Sequence, residues 1–231
     1  MLTLRELRHM EGGRYPNYSE AQQMAKAAYG SVPEMVGPFR LKKYNPAQSV
    51  AFYEDDEGTM VAAIAGTQSA HEALTEWWRV PTNQVEGGER YRQAEAAIRQ
   101  ARREFPDVLE WYGVGHSLGG AIIDSLIEKG LLDGGHTFNP AIQTQHLSKT
   151  ANTREFQEGD VLGALAKPFA SNTRFKPRAP SGWASRITQA FNPAARLWDA
   201  LKAHDIKNFA NGGGRMRILP RGKHPGKVSP E

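Results

Sequence analysis

Residues 110–129 read EWYGVGHSLGGAIIDSLIEK, and this stretch decides the fold. Its first five residues are rich in aromatic and β-branched side chains, which predicts a short buried strand. From Ala121 onwards apolar residues recur at helical spacing, and Gly130 suits a helix C-terminus. Between the two stands Gly115-His-Ser-Leu-Gly119, which matches the G-x-S-x-G nucleophile elbow, a tight strand-to-helix turn that presents a serine. The alternative is an ordinary glycine-rich turn before a helix, and context must separate the two.

Strands and helices alternate along the chain on both sides of this stretch. Ser19-Glu-Ala-Gln22 is a capping box that begins a helix, and the apolar positions of a second helix step by three and four until Pro106. This alternation predicts the α/β class, with a mixed or mostly parallel sheet and helices on both faces. The predicted helices are 19–29, 89–104 and 194–203; the predicted strands are 49–53, 60–65, 110–114, 136–139 and 153–156; residues 54–58 form a hairpin turn, and 164–190 form a long surface excursion.

Length and composition limit the class of protein. The 231 residues fit one large α/β domain, predicted over 1–210, with a basic Gly/Pro-rich tail over 211–231. The absence of cysteine excludes disulfides, thiolate metal sites and a cysteine nucleophile. We expect no signal peptide and no transmembrane segment, hence a soluble protein, cytoplasmic by default, with non-classical export or packaging in a larger particle left open.

The C-terminal tail concentrates basic charge in a chain whose formal net charge is +4. Two interpretations stay open: a flexible solvated tail, or an arm that docks on an anionic surface or a partner subunit. No specific nucleic-acid binding is predicted, because no nucleic-acid fold signature accompanies the charge. The tail contains Arg215, Arg217, Arg221, Lys223 and Lys227 against one acid, Glu231.

A serine nucleophile needs a base, and in this architecture the triad follows the order Ser, acid, His. His136 lies within a predicted strand, too close behind the elbow helix, and His146 lies in a polar stretch without a clear element. His224 belongs to the basic tail. His204 follows a predicted helix and begins a loop, where a base can reach back over the sheet edge. We therefore predict His204 as the base.

The acid should follow a strand between Ser117 and His204. Asp124 falls on the elbow helix, Asp133 in the turn after it, and Asp199 on a helix one turn before His204. Asp160 alone follows a predicted strand, and it is predicted to orient the imidazole and stabilise the imidazolium. The alternative is an ordinary turn aspartate after a glycine.

Two N–H groups are needed to bind the oxyanion. One is the backbone N–H of the residue after the nucleophile, here Leu118. The other should come from a loop after an early strand, and the apolar run 61–65 leads into Gly66-Thr67. We predict the Thr67 N–H, with its hydroxyl as a further candidate, as the second donor.

Together Gly66-Thr67, the elbow 115–120, Phe138-Asn-Pro140, Gly159-Asp160 and His204 resemble the class 3 lipases, the fungal triacylglycerol lipase-like branch of the α/β-hydrolases. The resemblance covers roughly residues 45–210. It implies an α/β-hydrolase fold and a serine hydrolase that cleaves carboxylic esters, with lipids as the substrate class, through a triad and an acyl-enzyme. It implies no metal or cofactor. The chain departs from the family at Ala65, where an arginine is usual, and after Asp160, where a proline is usual.

The resemblance also implies a lid over the site, at residues 69–80. This segment has an apolar side and a polar side, so it is predicted either to contact a lipid interface transiently or to pack permanently on the core. Three functions therefore stay open: a lipase, a thioesterase or short-chain esterase on the same fold, and a non-catalytic scaffold. The apolar side contains Leu74, Trp77, Trp78 and Val80; the polar side contains His71, Glu72, Glu76 and Arg79.

Overall fold

The computed structural model describes residues 14–67, 84–141, 152–157 and 173–176. Within them lie three α-helices, a short 3-10 turn at Val85–Gly87 and eight strands. The helices are α1 (Tyr18–Ala27), α2 (Glu89–Glu104) and α3 (Leu118–Glu128). The strands are β1 (Met35–Val36), β2 (Phe39–Asn45), β3 (Val50–Glu54), β4 (Thr59–Ile64), β5 (Glu110–His116), β6 (Gly134–Phe138), β7 (Asn152–Gln157) and β8 (Thr173–Lys176).

The eight strands form one mixed sheet whose spatial order is their order in the sequence. Strands β1 to β4 pair antiparallel, and β4 to β8 pair parallel. Consequently the carboxyl ends of β4, β5, β6 and β7 meet at one edge of the sheet, together with the start of β3. We call this the carboxyl edge, and the other the opposite edge.

Helices cover both faces of the sheet, as the sequence predicted. One apolar cluster joins α2 and α3 to strand residues such as Met60 and Ile64, and a second joins α1 to Val61, Ala63 and Val114. Since successive side chains of a strand point to opposite faces, all six residues of β4 are buried. This arrangement confirms the predicted α/β class, with a mixed, mostly parallel sheet and helices on both faces.

Local signals fix the helix ends well. Asn17 caps α1: its side chain accepts from the Glu20 N–H at 3.0 Å, and the Glu20 side chain accepts from the Asn17 N–H at 2.8 Å. The capping box is therefore centred on Asn17 rather than Ser19, two residues earlier than predicted. Helix α2 has the predicted bounds.

Three strands were not predicted from the sequence. The pair β1 and β2 precedes β3, where charged residues interrupt the apolar pattern. Strand β8 lies within 164–190, so that segment is not wholly a surface excursion, because residues 173–176 pair in parallel with β7. The predicted helix 194–203, the lid segment 69–80 and the tail 211–231 lie outside the described residues.

Candidate active site

The predicted nucleophile and oxyanion loop come together at the carboxyl edge. Ser117 follows β5 directly, and Gly66 and Thr67 follow the neighbouring strand β4. A Cβ placed on Gly66 would lie 2.9 Å from the Ser117 Cβ. The backbone of the predicted oxyanion loop therefore runs against the serine side chain.

Ser117 has the backbone conformation of a nucleophile elbow. Its φ of 57° and ψ of −125° are unusual for a residue with a Cβ and cost about 1–3 kcal/mol. Hydrogen bonds hold both of its backbone polar atoms: its N–H donates to the Phe138 carbonyl at 3.1 Å, and its carbonyl accepts from Gly120 at 3.0 Å and Ala141 at 2.9 Å. The turn is thus fixed by β6 and by the first turn of α3.

Glycines let the elbow pack closely on its neighbours. A Cβ on Gly119 would lie 2.3 Å from the Ile64 carbonyl oxygen, and one on Gly115 would lie 3.0 Å from the same oxygen. A Cβ on Gly120 would lie 2.5 Å from the Pro140 Cβ. The flanking glycines of the motif are therefore required by contact with β4 and with the residues after β6.

The N-terminus of α3 lies directly after Ser117. Leu118 is the first residue of the helix, a position whose N–H has no acceptor within the helix. The first turn also carries partial positive charge. The Leu118 N–H is therefore available at the helix start beside Ser117, and its role as an oxyanion donor stays a prediction.

The side chains of Tyr29 and Arg90 hold the peptide group between Ala65 and Gly66. The Tyr29 hydroxyl, just after α1, accepts from the Gly66 N–H at 2.9 Å. Arg90, the second residue of α2, donates from Nη2 to the Ala65 carbonyl at 3.2 Å. The Ala65 N–H donates to the Ser49 carbonyl at 3.1 Å.

Tyr29 also contacts the elbow. Its hydroxyl lies 2.8 Å from Nδ1 of His116, the residue between Gly115 and Ser117. Because the hydroxyl accepts from Gly66, its hydrogen can be donated to Nδ1. Tyr29 thus links the predicted oxyanion loop to the nucleophile turn.

Comparisons with known proteins identify no family. No family model matches the chain, and no curated protein matches its sequence. Among solved structures, the chain is similar to a triacylglycerol lipase from Penicillium expansum, with a TM-score of 0.40 and 13% identity over 69% of this chain and 78% of that one. A likeness of this size supports no statement about chemistry, so the fold and the site rest on the geometry above.

Two aspartates that the sequence considered for the acid have other partners. Asp124 on α3 accepts from Arg154 through both carboxylate oxygens, at 2.7 and 3.2 Å, and from Asn152 at 2.7 Å. Both ions are about 1% exposed. Asp133 accepts from the Trp111 N–H at 2.8 Å. These contacts anchor the elbow helix on β7 and close the turn after α3.

His136 lies inside β6, as expected, and is buried. Its ring stacks on Phe138, and its Nε2 lies 3.5 Å from Oε1 of Glu155. Burial, with the Glu155 carboxylate as the lesser cause, raises the pKa of Tyr18, whose ring meets the edge of His136. The phenol is therefore neutral over the physiological range. This cluster packs α1 on the sheet.

The predicted acid Asp160 and the predicted base His204 lie outside the described residues, as do His146 and Asp199, which the sequence analysis considered and set aside. In the sequence, Asp160 comes three residues after the last residue of β7. The roles of Asp160 and His204 stay predictions.

The described residues hold neither a metal cluster nor a membrane span. In 14–67, 84–141, 152–157 and 173–176, no three His, Asp or Glu side chains converge as metal ligands would. No helix in those ranges has the length and apolarity needed to cross a bilayer.

Sequence reasoning missed Tyr29 and Arg90. Arg90 carried a signal: it lies four and seven residues before Ala94 and Ala97, on the apolar face of α2. A charged residue on a buried helix face requires polar partners, and these proved to be backbone carbonyls. Tyr29 carried no comparable signal, because its partners are far away in the sequence.

Proposed function

We propose that this protein is a serine hydrolase that cleaves carboxylic esters through an acyl-enzyme, with lipids as the substrate class. The observation that carries the proposal is the elbow: the φ of 57° falls on the serine of the motif, between a buried strand and a helix N-terminus. Strained residues of this kind persist where surrounding contacts hold them and cluster at active sites.

In the proposed mechanism Ser117 Oγ attacks the ester carbonyl while His204 takes the Oγ proton. The Leu118 and Thr67 N–H groups bind the oxyanion of the tetrahedral intermediate. Its collapse breaks the carbonyl–alkoxy bond, and His204 gives its proton to the leaving alcohol. Water, deprotonated by His204, then hydrolyses the acyl-enzyme and regenerates Ser117. Asp160 orients His204 throughout.

The choice of lipids rests on the resemblance of the sequence to the lipase family and on the amphipathic segment 69–80. The similar structure from Penicillium expansum is a triacylglycerol lipase, but its substrate is not an argument for the substrate of this chain. A thioesterase, a short-chain esterase and a non-catalytic scaffold are the competing outcomes, because a fold hosts many functions.

The proposal is tested with a fluorophosphonate probe on the full chain. We expect wild type to be labelled at Ser117 and the Ser117→Ala variant to be unlabelled. Ser19→Ala, which removes an exposed serine at the start of α1, is the matched control and should label like wild type. An unlabelled wild type would contradict the enzyme and favour the scaffold.

Substrate class is tested with p-nitrophenyl esters of increasing acyl length, below and above the concentration at which they form an interface. A lipase should prefer long chains and accelerate at the interface. Preference for short soluble esters without that acceleration would identify an esterase, and faster turnover of acyl thioesters would identify a thioesterase.

A further inference from the structure

We propose that Arg90 is a positioning residue that orients the second oxyanion donor, the N–H of Thr67. The inference rests on the proposed function, because that donor matters only if Ser117 forms an oxyanion. Arg90 lies on α2, is 6% exposed and contacts neither Ser117 nor Thr67 in the bonds described.

The first step is the geometry of the guanidinium. Nη2 donates to the Ala65 carbonyl at 3.2 Å, and Nη1 donates to the Gln48 carbonyl at 2.9 Å. Nη1 also lies 3.4 Å from the Gln93 side-chain oxygen. One rigid, planar group therefore joins the turn before β3 to the end of β4.

The second step concerns the peptide group between Ala65 and Gly66. Its carbonyl is held by Arg90 and its N–H by the Tyr29 hydroxyl, so both polar atoms of a planar unit are fixed. Only the two backbone dihedrals of Gly66 then separate this plane from the Thr67 N–H. Gly66 is confined as well, since a Cβ on it would lie 2.6 Å from the His116 carbonyl oxygen.

The third step concerns charge. The described partners of Arg90 are two carbonyls and one amide oxygen, all neutral, and its buried Nε has no hydrogen-bond partner among the described residues. Among the described residues Arg90 has no carboxylate partner, and a buried charge held only by neutral groups is less favourable for folding than a neutral residue at the same position. The cation becomes useful when a negative charge develops beside the loop it holds, as it does in the tetrahedral intermediate.

The test compares Arg90→Gln, Arg90→Lys and wild type in the full chain. Arg99→Gln, an exposed arginine on the same helix that pairs with Glu95, is the matched control. The measurements are kcat and KM for a p-nitrophenyl ester, the inhibition constant of a phenylboronic acid that forms an anionic tetrahedral adduct on serine, and thermal unfolding.

We expect Arg90→Gln to lower kcat about 10- to 100-fold with KM within about twofold, since small displacements of a catalytic group have effects of this order. Boronate affinity should fall in parallel. Arg90→Lys keeps the charge but lacks the planar fork that reaches both carbonyls, so its kcat should fall between those of the Gln variant and wild type. If the Gln variant does not fold, the kcat of Arg90→Lys tests the inference. Arg99→Gln should match wild type.

Two results would overturn the inference alone: equal kcat in wild type and the folded Arg90 variant with only a lower melting temperature, or a rise in KM at constant kcat. The first would make Arg90 a structural tie between α2 and the sheet. A wild type that the fluorophosphonate does not label would instead remove the proposed function, and this inference with it.

Discussion

The two edges of the sheet both contain turns with positive φ angles, but different residue types adopt them. Among the described residues, positive φ values at the opposite edge fall on Gly37, Gly58 and Gly130. A fourth such glycine, Gly30, follows Tyr29, whose hydroxyl contacts Gly66 at the carboxyl edge. At the carboxyl edge, the three described non-glycine residues with positive φ are Ser49, Ser117 and Asn139. Glycine adopts such conformations without strain, so a turn that needs only geometry is best made with glycine. Ser49, Ser117 and Asn139 instead keep side chains at positions where glycine would be less strained, and this contrast supports the proposed site at the carboxyl edge.

The strained residues are held by bonds that also build the site. The Ser49 carbonyl accepts from Ala65, and Asn139 donates from its N–H to the Glu155 carbonyl at 2.7 Å. Ser117 is held by β6 and α3. These bonds tie Ser49 to the residue after β4 and Asn139 to β7, so the contacts that hold the strained turns also hold the strand ends beside the predicted site.

The largest effect is expected from substitution of Ser117. Ser117→Gly and Ser117→Ala should both lose at least about 10⁴-fold in turnover, because each removes the nucleophile. The glycine variant should nevertheless have a free energy of unfolding about 1–2 kcal/mol higher than the alanine variant, because glycine accepts φ 57° without strain. Chemical denaturation and ester hydrolysis provide the two measurements.

Gly58→Ala is the matched variant at the opposite edge. Its φ of 99° should make alanine destabilising by about 1–2 kcal/mol, with turnover unchanged. Glycine would then be the more stable residue at both position 58 and position 117, but the protein has glycine only at position 58. Equal stability of the glycine and alanine variants at position 117 would contradict the strain at the elbow.

The next effect should come from the ion pair that anchors the elbow helix. Arg154→Met leaves Asp124 buried without its cation, which should lower the free energy of unfolding by about 3–5 kcal/mol. The double variant Asp124→Leu, Arg154→Met should recover most of that loss, since neither charge remains. Arg99→Met breaks the exposed pair with Glu95 and should change stability by less than about 0.5 kcal/mol. Urea denaturation measures all three.

Close packing of the elbow should produce a smaller change in the free energy of unfolding, but one whose sign is opposite to that expected for an ordinary helix position. In a helix, alanine is normally more stable than glycine by about 1 kcal/mol. Gly119→Ala should instead destabilise by about 1–3 kcal/mol and reduce turnover, because its Cβ would press on the backbone at Ile64. Ala96→Gly, at an exposed position of α2, measures the ordinary preference. A stabilising Gly119→Ala would show that the helix can move away from β4.

The parts predicted well are those whose signal is local. Helix α2 has apolar residues at helical spacing from Tyr91 to Ala101, β4 is apolar from Met60 to Ile64, and the elbow motif combines strand, serine and glycines within 20 residues. Ser117, Leu118 and Thr67 were therefore placed on the correct elements from the sequence alone.

The missed parts depend on distant neighbours. In strand β2 the neighbouring residues Lys42 and Lys43 break the alternation of apolar and polar side chains, at the point where the register with β3 shifts, so the pairing with β3 defines the strand better than its pattern does. Residues 173–176 become a strand by pairing with β7. Tyr29 and Arg90 act on Gly66 and Ala65 across gaps of 37 and 25 residues, which no local pattern reports.

The smallest effect is expected at Asp55, and it tests whether a residue that is unfavourable for folding at the opposite edge can be replaced without loss of turnover. In the β3–β4 turn, Asp55 accepts from Thr59 at 2.8 Å and Glu57 at 3.0 Å through Oδ1, while its buried Oδ2 has no partner among the described residues. Burial raises the pKa of this carboxyl. A raised folded-state pKa means that the ionised form is disfavoured by folding. The penalty is absent below the unfolded-state pKa and complete above the folded-state pKa.

Asp55→Asn keeps the Oδ1 acceptor and removes the charge. It should raise the free energy of unfolding at pH 7 by on the order of 1 kcal/mol, and the gap to wild type should close as pH falls toward the unfolded-state pKa of about 4. Urea midpoints from pH 7 to pH 3 measure it, with exposed Asp56→Asn as the control. A gap that widens in acid would mean that the two N–H donors outweigh burial. Turnover should stay at the wild-type level, whereas any substitution of Ser117 abolishes it, because only the turn at Ser117 presents the proposed nucleophile.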